Sequence, residues 1–177
     1  VTPSGSLNLS TVAAIATAPG AAGVAIIRMS GQHAWKIARQ LFWKPNTVFE
    51  HGRFYHGWLI EPGLEKTQDL QYLDEGLLFL FEAPKSFTGE DVVEIHCHGG
   101  QVVPQKILSA CFQLGAEPAP PGEFTRRAFL FGKLDLTQAE SILDLVSAQG
   151  EAMQRLATTN LRSKSTAALF STVREEI

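Results

Sequence analysis

The chain has 177 residues, 45% hydrophobic and 19% charged, with 15 Lys plus Arg against 18 Asp plus Glu and a formal net charge of −3. A chain of this size buries roughly 70% of its unfolded surface, enough for a core without staples, and the composition excludes intrinsic disorder. The acidic balance argues against a free-standing nucleic-acid binder. Two cysteines, Cys97 and Cys111, make neither a disulfide framework nor a four-cysteine zinc site, which fits a reduced cytoplasmic compartment.

Residues 1–27 contain no Asp, Glu, Lys or Arg. They lack the basic leading region of a secretory signal. Their apolar part, 12–27, is too short for a bilayer and is broken by Pro19-Gly20, so no membrane association is expected. Two buried strands, 11–18 and 24–30, are expected around a loop at 19–23. Ser30 is placed to cap a helix over 31–42, where Ala34, Ile37, Ala38, Leu41 and Phe42 fall at helical spacing. Strands follow at 53–60, 76–83 and 91–98, separated by a polar loop or hairpin at 61–74 and a loop at 84–90. Helical spacing returns over 101–114, with Pro104 tolerated in the first turn.

A proline-rich linker over 116–123 divides the chain into an α+β domain at 1–118 and a helical part at 119–177. A short helix over 123–131 is stopped by Gly132, and Thr137-x-x-Glu140 reads as the capping box of the next. From there to Ile177 there is one glycine, Gly150, and Met153, Leu156, Leu161, Phe170, Val173 and Ile177 continue a helical pattern. That pattern has no closing signal, which suggests a cut chain, and its sparse apolar stripe suggests packing on something outside it.

Period two puts Glu94, His96 and His98 on one face of the 91–98 strand and Cys97 on the other. His-x-His with a carboxylate can ligate zinc, but no fourth ligand is visible, and a pocket-lining or partner-facing role competes with it. Gly99-Gly100 permits close approach of backbone to a ligand or another strand. Glu94 interrupts the apolar run Val92, Val93, Ile95. Such a carboxylate either accepts two parallel N–H bonds from an amidine-like edge, as in a pterin or guanine, or forms an internal ion pair. Arg28, flanked by Ile26, Ile27 and Met29, is a partner for a ligand carboxylate, an internal Glu, or solvent at a sheet edge. Lys133, in FGKLDL, either reaches into a cleft or is solvated, and Arg126-Arg127 reads as a helix face. No Gly-x-x-x-x-Gly-Lys-Ser/Thr occurs, so GTP binding through a P-loop is not expected of these residues. Gly-x-Ser-x-Gly and Gly-x-Gly-x-x-Gly are also absent.

The blocks TVAAIATAPGAAGVAIIRMSG, PKSFTGEDVVEIHCHGG and PPGEFTRRAFLFGKLDLTQAESILDLVSAQ resemble the N-terminal region of the MnmE (TrmE) family of tRNA modification GTPases, from about Thr11 onward. One departure is Ala21, where the family usually has Arg in APGRGG. The resemblance implies a homodimerising domain similar to the tetrahydrofolate domain of aminomethyltransferases, binding 5-formyltetrahydrofolate. A helical domain follows, into which a GTPase domain using GTP, Mg2+ and K+ is inserted. It further implies a partnership with MnmG, an FAD protein, in adding an aminomethyl-type group at C5 of the wobble uridine of certain tRNAs. Arg28, Glu94 and Lys133 match the family's folate-contacting positions, with His96, His98, Gly99 and Gly100 as further pocket candidates and no metal ligand. Catalytic residues are not identified. The competing readings are a stand-alone folate-dependent aminomethyltransferase-like protein and a ligand-free dimerisation module.

Overall fold

The computed structural model describes residues 9–63 and 71–162. The chain divides into two compact units, Val1–Ser86 with Glu90–Pro121, and Phe87–Gly89 with Gly122–Ile177. The described part is a mixed α+β structure with one seven-stranded sheet and five helices. Of the expected terminal helix, the positions Phe170, Val173 and Ile177 lie outside the described residues, as does 64–70 of the expected polar loop.

The first unit contains β1 (Val12–Ile15), β2 (Val24–Ser30), α1 (Ala34–Leu41), β3 (Phe42–Trp43), β4 (Phe54–Ile60), β5 (Tyr72–Phe81), β6 (Val92–His98), α2 (Val102–Gln113) and β7 (Glu117–Pro118). The sheet order is β3-β4-β5-β6-β2-β1-β7. All neighbours run antiparallel except β1 and β7, which are parallel. Alternation places Ala25, Ile27 and Met29 of β2, with Val93, Ile95 and Cys97 of β6, on one buried face. Ala34, Ile37, Ala38 and Leu41 of α1, with Ile107, Ala110 and Cys111 of α2, complete the same core. Helices therefore supply the cover for one face, and the residues between the core positions stand on the other.

Several boundaries differ from the sequence expectation for local reasons. The first strand ends at Ile15, because Thr17 Oγ1 accepts the Ile26 N–H that a longer ladder would use. Ser30 does not cap α1. His33 occupies that position without a side-chain cap, while Ser30 Oγ donates to Glu90 Oε2 at 2.7 Å inside the fold. Strand β5 begins at Tyr72, taking in Asp74, which the sequence assigns to a loop or hairpin. Asp74 is satisfied there by accepting from the His98 backbone N–H at 2.7 Å. Strands β3 and β7 are two residues each, too short to leave a periodic signature. At Gly99 a Cβ would lie 2.0 Å from the Ala22 carbonyl oxygen, so this glycine lets the 19–23 loop cross the end of β6.

The second unit holds α3 (Glu123–Leu130), α4 (Leu136–Ser147) and α5 (Glu151–Arg162). The expected capping box at Thr137 and Glu140 lies two residues earlier. Asp135 accepts from the Gln138 N–H at 2.8 Å, and Gln138 Oε1 accepts from the Asp135 N–H at 3.0 Å. Both pairs fit the same pattern, but Asp135 already has the extended backbone an N-cap requires. The expected continuous helix is broken after Ser147, where Ala148 is extended, and α5 folds back so that Gln138 Nε2 donates to the Leu161 carbonyl at 3.2 Å. No helix among the described residues is long and apolar enough to cross a membrane.

Of the Arg126-Arg127 pair on α3, Arg126 stands on the exposed face and Arg127 turns inward. Arg127 is 2% exposed and donates through Nε to Glu123 Oε1 at 2.8 Å. Arg126 holds the same carboxylate through Nε and Nη2 at 2.7 and 2.8 Å. The Arg126 hydrogen bond, opposed by burial and aided by Arg127, lowers the Glu123 carboxyl to about 2 from 4.5. A depressed folded-state value stabilises the fold above the unfolded value and loses that contribution as pH falls through the folded one. The cluster therefore contributes fully above pH 4.5 and is lost between 4.5 and about 2. In melting curves from pH 6 to pH 2, Glu123→Gln is expected to lower Tm at pH 6 and to flatten its fall across that window. An acid limb parallel to the wild-type one contradicts this.

Candidate functional site

The β2–β6 register decides which polar groups meet. Arg28 is directly opposite Glu94, and Ile26 is opposite His96. On the other side of β6, Phe79 faces Glu94 and Leu77 faces His96. All project from the sheet face that does not carry the helix-packed core. Arg28 Nε and Nη2 donate to Glu94 Oε1 at 2.9 and 2.6 Å, with the two side chains 29% and 20% exposed. Both bonds fall on one oxygen. The other, Oε2, lies 3.4 Å from His96 Nε2.

Of the alternatives left open by the sequence, Arg28 and Glu94 thus satisfy each other in an ion pair. The pair is partly buried rather than sealed, and both Arg28 bonds fall on one carboxylate oxygen. A buried pair would be expected to close all its lone pairs internally. This one leaves Oε2 with a long contact of 3.4 Å to His96 Nε2.

His96 and His98 share the face of Glu94 but differ in setting. His96 is half-buried, and its ring lies 4.5 Å from that of Phe79, which stacks in turn on Phe54 at 5.7 Å. His98 is exposed. Its Nδ1 lies 2.8 Å from Asp74 Oδ1, and that hydrogen bond, with the charge of Asp74, raises its pKa above the ordinary histidine value. The two histidines line a shallow cleft of about 340 Å³ with His56, Glu75 and Val24. Gly99 and Gly100 line a separate cleft of about 440 Å³, closed by the 17–22 loop and the start of α2. Ala21, in that loop, is exposed.

Cys97 and Cys111 are buried thiols, pushed up to about 11 and 12 chiefly by burial, so neither is a thiolate nucleophile at neutral pH. Among the described residues, no group of three or more His, Cys, Asp or Glu is arranged to hold a metal ion. Lys133 belongs to the second unit and is exposed. Its aliphatic stem passes Gly89, where an added Cβ would come within 3.3 Å of Lys133 Cγ.

Sequence reasoning missed Asp74, Phe54 and Phe79. Asp74 was placed in a loop, and only strand pairing brings it to His98. Phe54 and Phe79 sit in apolar or aromatic runs that read equally well as core. The signal available was the alternation within 76–83, which separates Leu77, Phe79 and Phe81 from the core positions Leu78 and Leu80.

Comparison with known proteins adds a family context. Residues 11–133 match the family model described as GTP-binding protein TrmE N-terminus. The chain is 48% identical over 172 residues to a tRNA modification GTPase MnmE of Acaryochloris marina, covering 96% of this chain and 36% of the relative. It is 49% identical over 157 residues to that of Trichodesmium erythraeum, covering 87% and 32%. Against that of Geobacter metallireducens it is 46% identical over 149 residues, covering 83% and 32%. The chain spans about a third of the length of these relatives.

Proposed function

The chain belongs to the TrmE N-terminus family, and from this premise we propose that it is the folate-binding, dimerising N-terminal part of a tRNA modification GTPase. The observation that carries the reading is the divided carboxylate: Glu94 Oε1 is held by Arg28, and Oε2 has only the long 3.4 Å contact to His96 Nε2 among the described residues. A reduced pterin presents adjacent N–H donors on its amide and amino edge, which an ionised carboxylate oxygen accepts with charge assistance. Arg28 anchors Glu94 through two N–H bonds to Oε1. Lys133 contributes a cation suited to the anionic tail or the formyl oxygen of 5-formyltetrahydrofolate. His96 and His98 border the ligand region, whereas Gly99 and Gly100 line a separate cleft. The fold is then of the kind found in the tetrahydrofolate domain of aminomethyltransferases, with residues 1–118 as the folate domain and 119–177 as the start of a helical domain.

Dimerisation is supported by the outer part of the same sheet, where Phe54, Trp58 and Tyr72 are 65%, 39% and 53% exposed. A second copy would remove such surface from water. The remaining activity belongs to the rest of a longer cytoplasmic protein: GTP hydrolysis with Mg2+ and K+, and, with the FAD protein MnmG, modification at C5 of the wobble uridine of tRNA. The chain itself, without a P-loop, hydrolyses no GTP.

Calorimetric titration with 5-formyltetrahydrofolate is expected to give saturable binding by the wild-type chain. Glu94→Gln replaces the acceptor edge with an amide and is expected to weaken binding about 30- to 1000-fold. Because the pair is partly buried rather than sealed, Tm should fall by only a few degrees. Absence of heat with folded wild-type protein at high micromolar ligand contradicts folate binding. Normal binding by Glu94→Gln contradicts the role of this residue. Sedimentation equilibrium is expected to return twice the chain mass, and a monomer mass at 100 µM would remove dimerisation.

A further inference from the structure

We propose that His96 is a positioning residue that aims Oε2 of Glu94, the oxygen Arg28 does not hold, at its ligand, with Phe79 holding the imidazole in place. This rests on the reduced-folate reading above and assigns a role that neither the family motif nor the ion pair supplies. Of the two Glu94 oxygens, Arg28 donates to Oε1, at 2.9 and 2.6 Å. The imidazole supplies the second point of reference. With its proton on Nε2, His96 donates towards Oε2 across 3.4 Å, along the same strand and on the same face. That separation is long for a full hydrogen bond, so Oε2 keeps its capacity for ligand donors while its direction is biased.

The ring has a defined orientation of its own. It lies 4.5 Å from the Phe79 ring at an interplanar angle of 35°. Phe79 is the direct cross-strand neighbour of Glu94, and Phe54 backs it at 5.7 Å and 29°. Leu77 and Ile26 occupy the positions opposite His96 on the two adjacent strands. A three-ring row therefore runs across β4, β5 and β6 and ends at the imidazole beside the carboxylate. This is the arrangement of a supporting layer: the aromatic row orients the histidine, and the histidine orients the acceptor.

The test is titration of 5-formyltetrahydrofolate into wild type, His96→Leu, His96→Gln and Phe79→Leu, with Tm measured on each sample. His96→Leu removes the donor and is expected to weaken binding about 5- to 30-fold, whereas His96→Gln keeps an N–H donor at comparable reach and rescues most of the loss. Phe79→Leu leaves the imidazole but removes the ring beside it, and is expected to weaken binding about 2- to 5-fold, which keeps the test decisive if His96→Leu folds poorly. Rescue by Gln distinguishes a donor from a packing role, since loss of packing alone would leave Gln as impaired as Leu. Wild-type binding with no loss in His96→Leu, or equal loss in Leu and Gln, overturns the inference and leaves the folate reading standing. No binding by wild type overturns both, and is seen in the first titration.

Discussion

A one-residue slip of β2 against β6 would turn Arg28 into the helix-covered core, bring Ile27 to the open face and leave Glu94 without its partner. Side-chain direction alternates with period two, so register and site are the same constraint. The pairing Ile27 with Ile95 and Met29 with Val93 fixes that register by burying apolar side chains. The ion pair then follows between them, opposite in charge and directly opposed across the ladder. Hydrophobic burial decides the alignment, and the charged pair decides what the exposed side can bind.

The two faces of this sheet serve different ends. On the covered face, α1 and α2 remove the apolar side chains from water, and the thiols of Cys97 and Cys111 sit there as inert core groups. On the other face stand a partly buried ion pair, a histidine fixed by aromatic neighbours, and exposed aromatic side chains towards β4. A folded chain gains little by holding these groups in such order for its own stability, since exposed pairs contribute about 0–1 kcal/mol. Their arrangement is intelligible as a surface prepared for something flat, polar at one edge and brought from outside.

Much of this was legible in the sequence where one pattern acted alone. The alternation through 92–98 separated Glu94, His96 and His98 from Val93, Ile95 and Cys97, and the spacing of Ala34, Ile37, Ala38 and Leu41 defined α1. Reading failed where two local solutions fitted the same residues. Asp135 and Thr137 both head a capping pattern, and backbone conformation chose the first. Ser30 can cap a helix or bond a buried carboxylate, and Glu90 claimed it. Asp74 looks like a loop residue until β6 supplies its partner, and Arg127 looks solvated until Glu123 is one helical turn away. The Arg28–Glu94 contact spans 66 positions. The sequence marked each as anomalous in an apolar strand, and only the sheet joins them.

The central claim is that Glu94 is divided, one oxygen held by Arg28 and the other kept for a ligand. A crystal structure of the chain with 5-formyltetrahydrofolate measures this directly. The account places a pterin nitrogen within about 3.2 Å of Glu94 Oε2 while Arg28 remains on Oε1. A ligand seated away from Glu94, or a Glu94 with both oxygens taken by Arg28 in the complex, would contradict it.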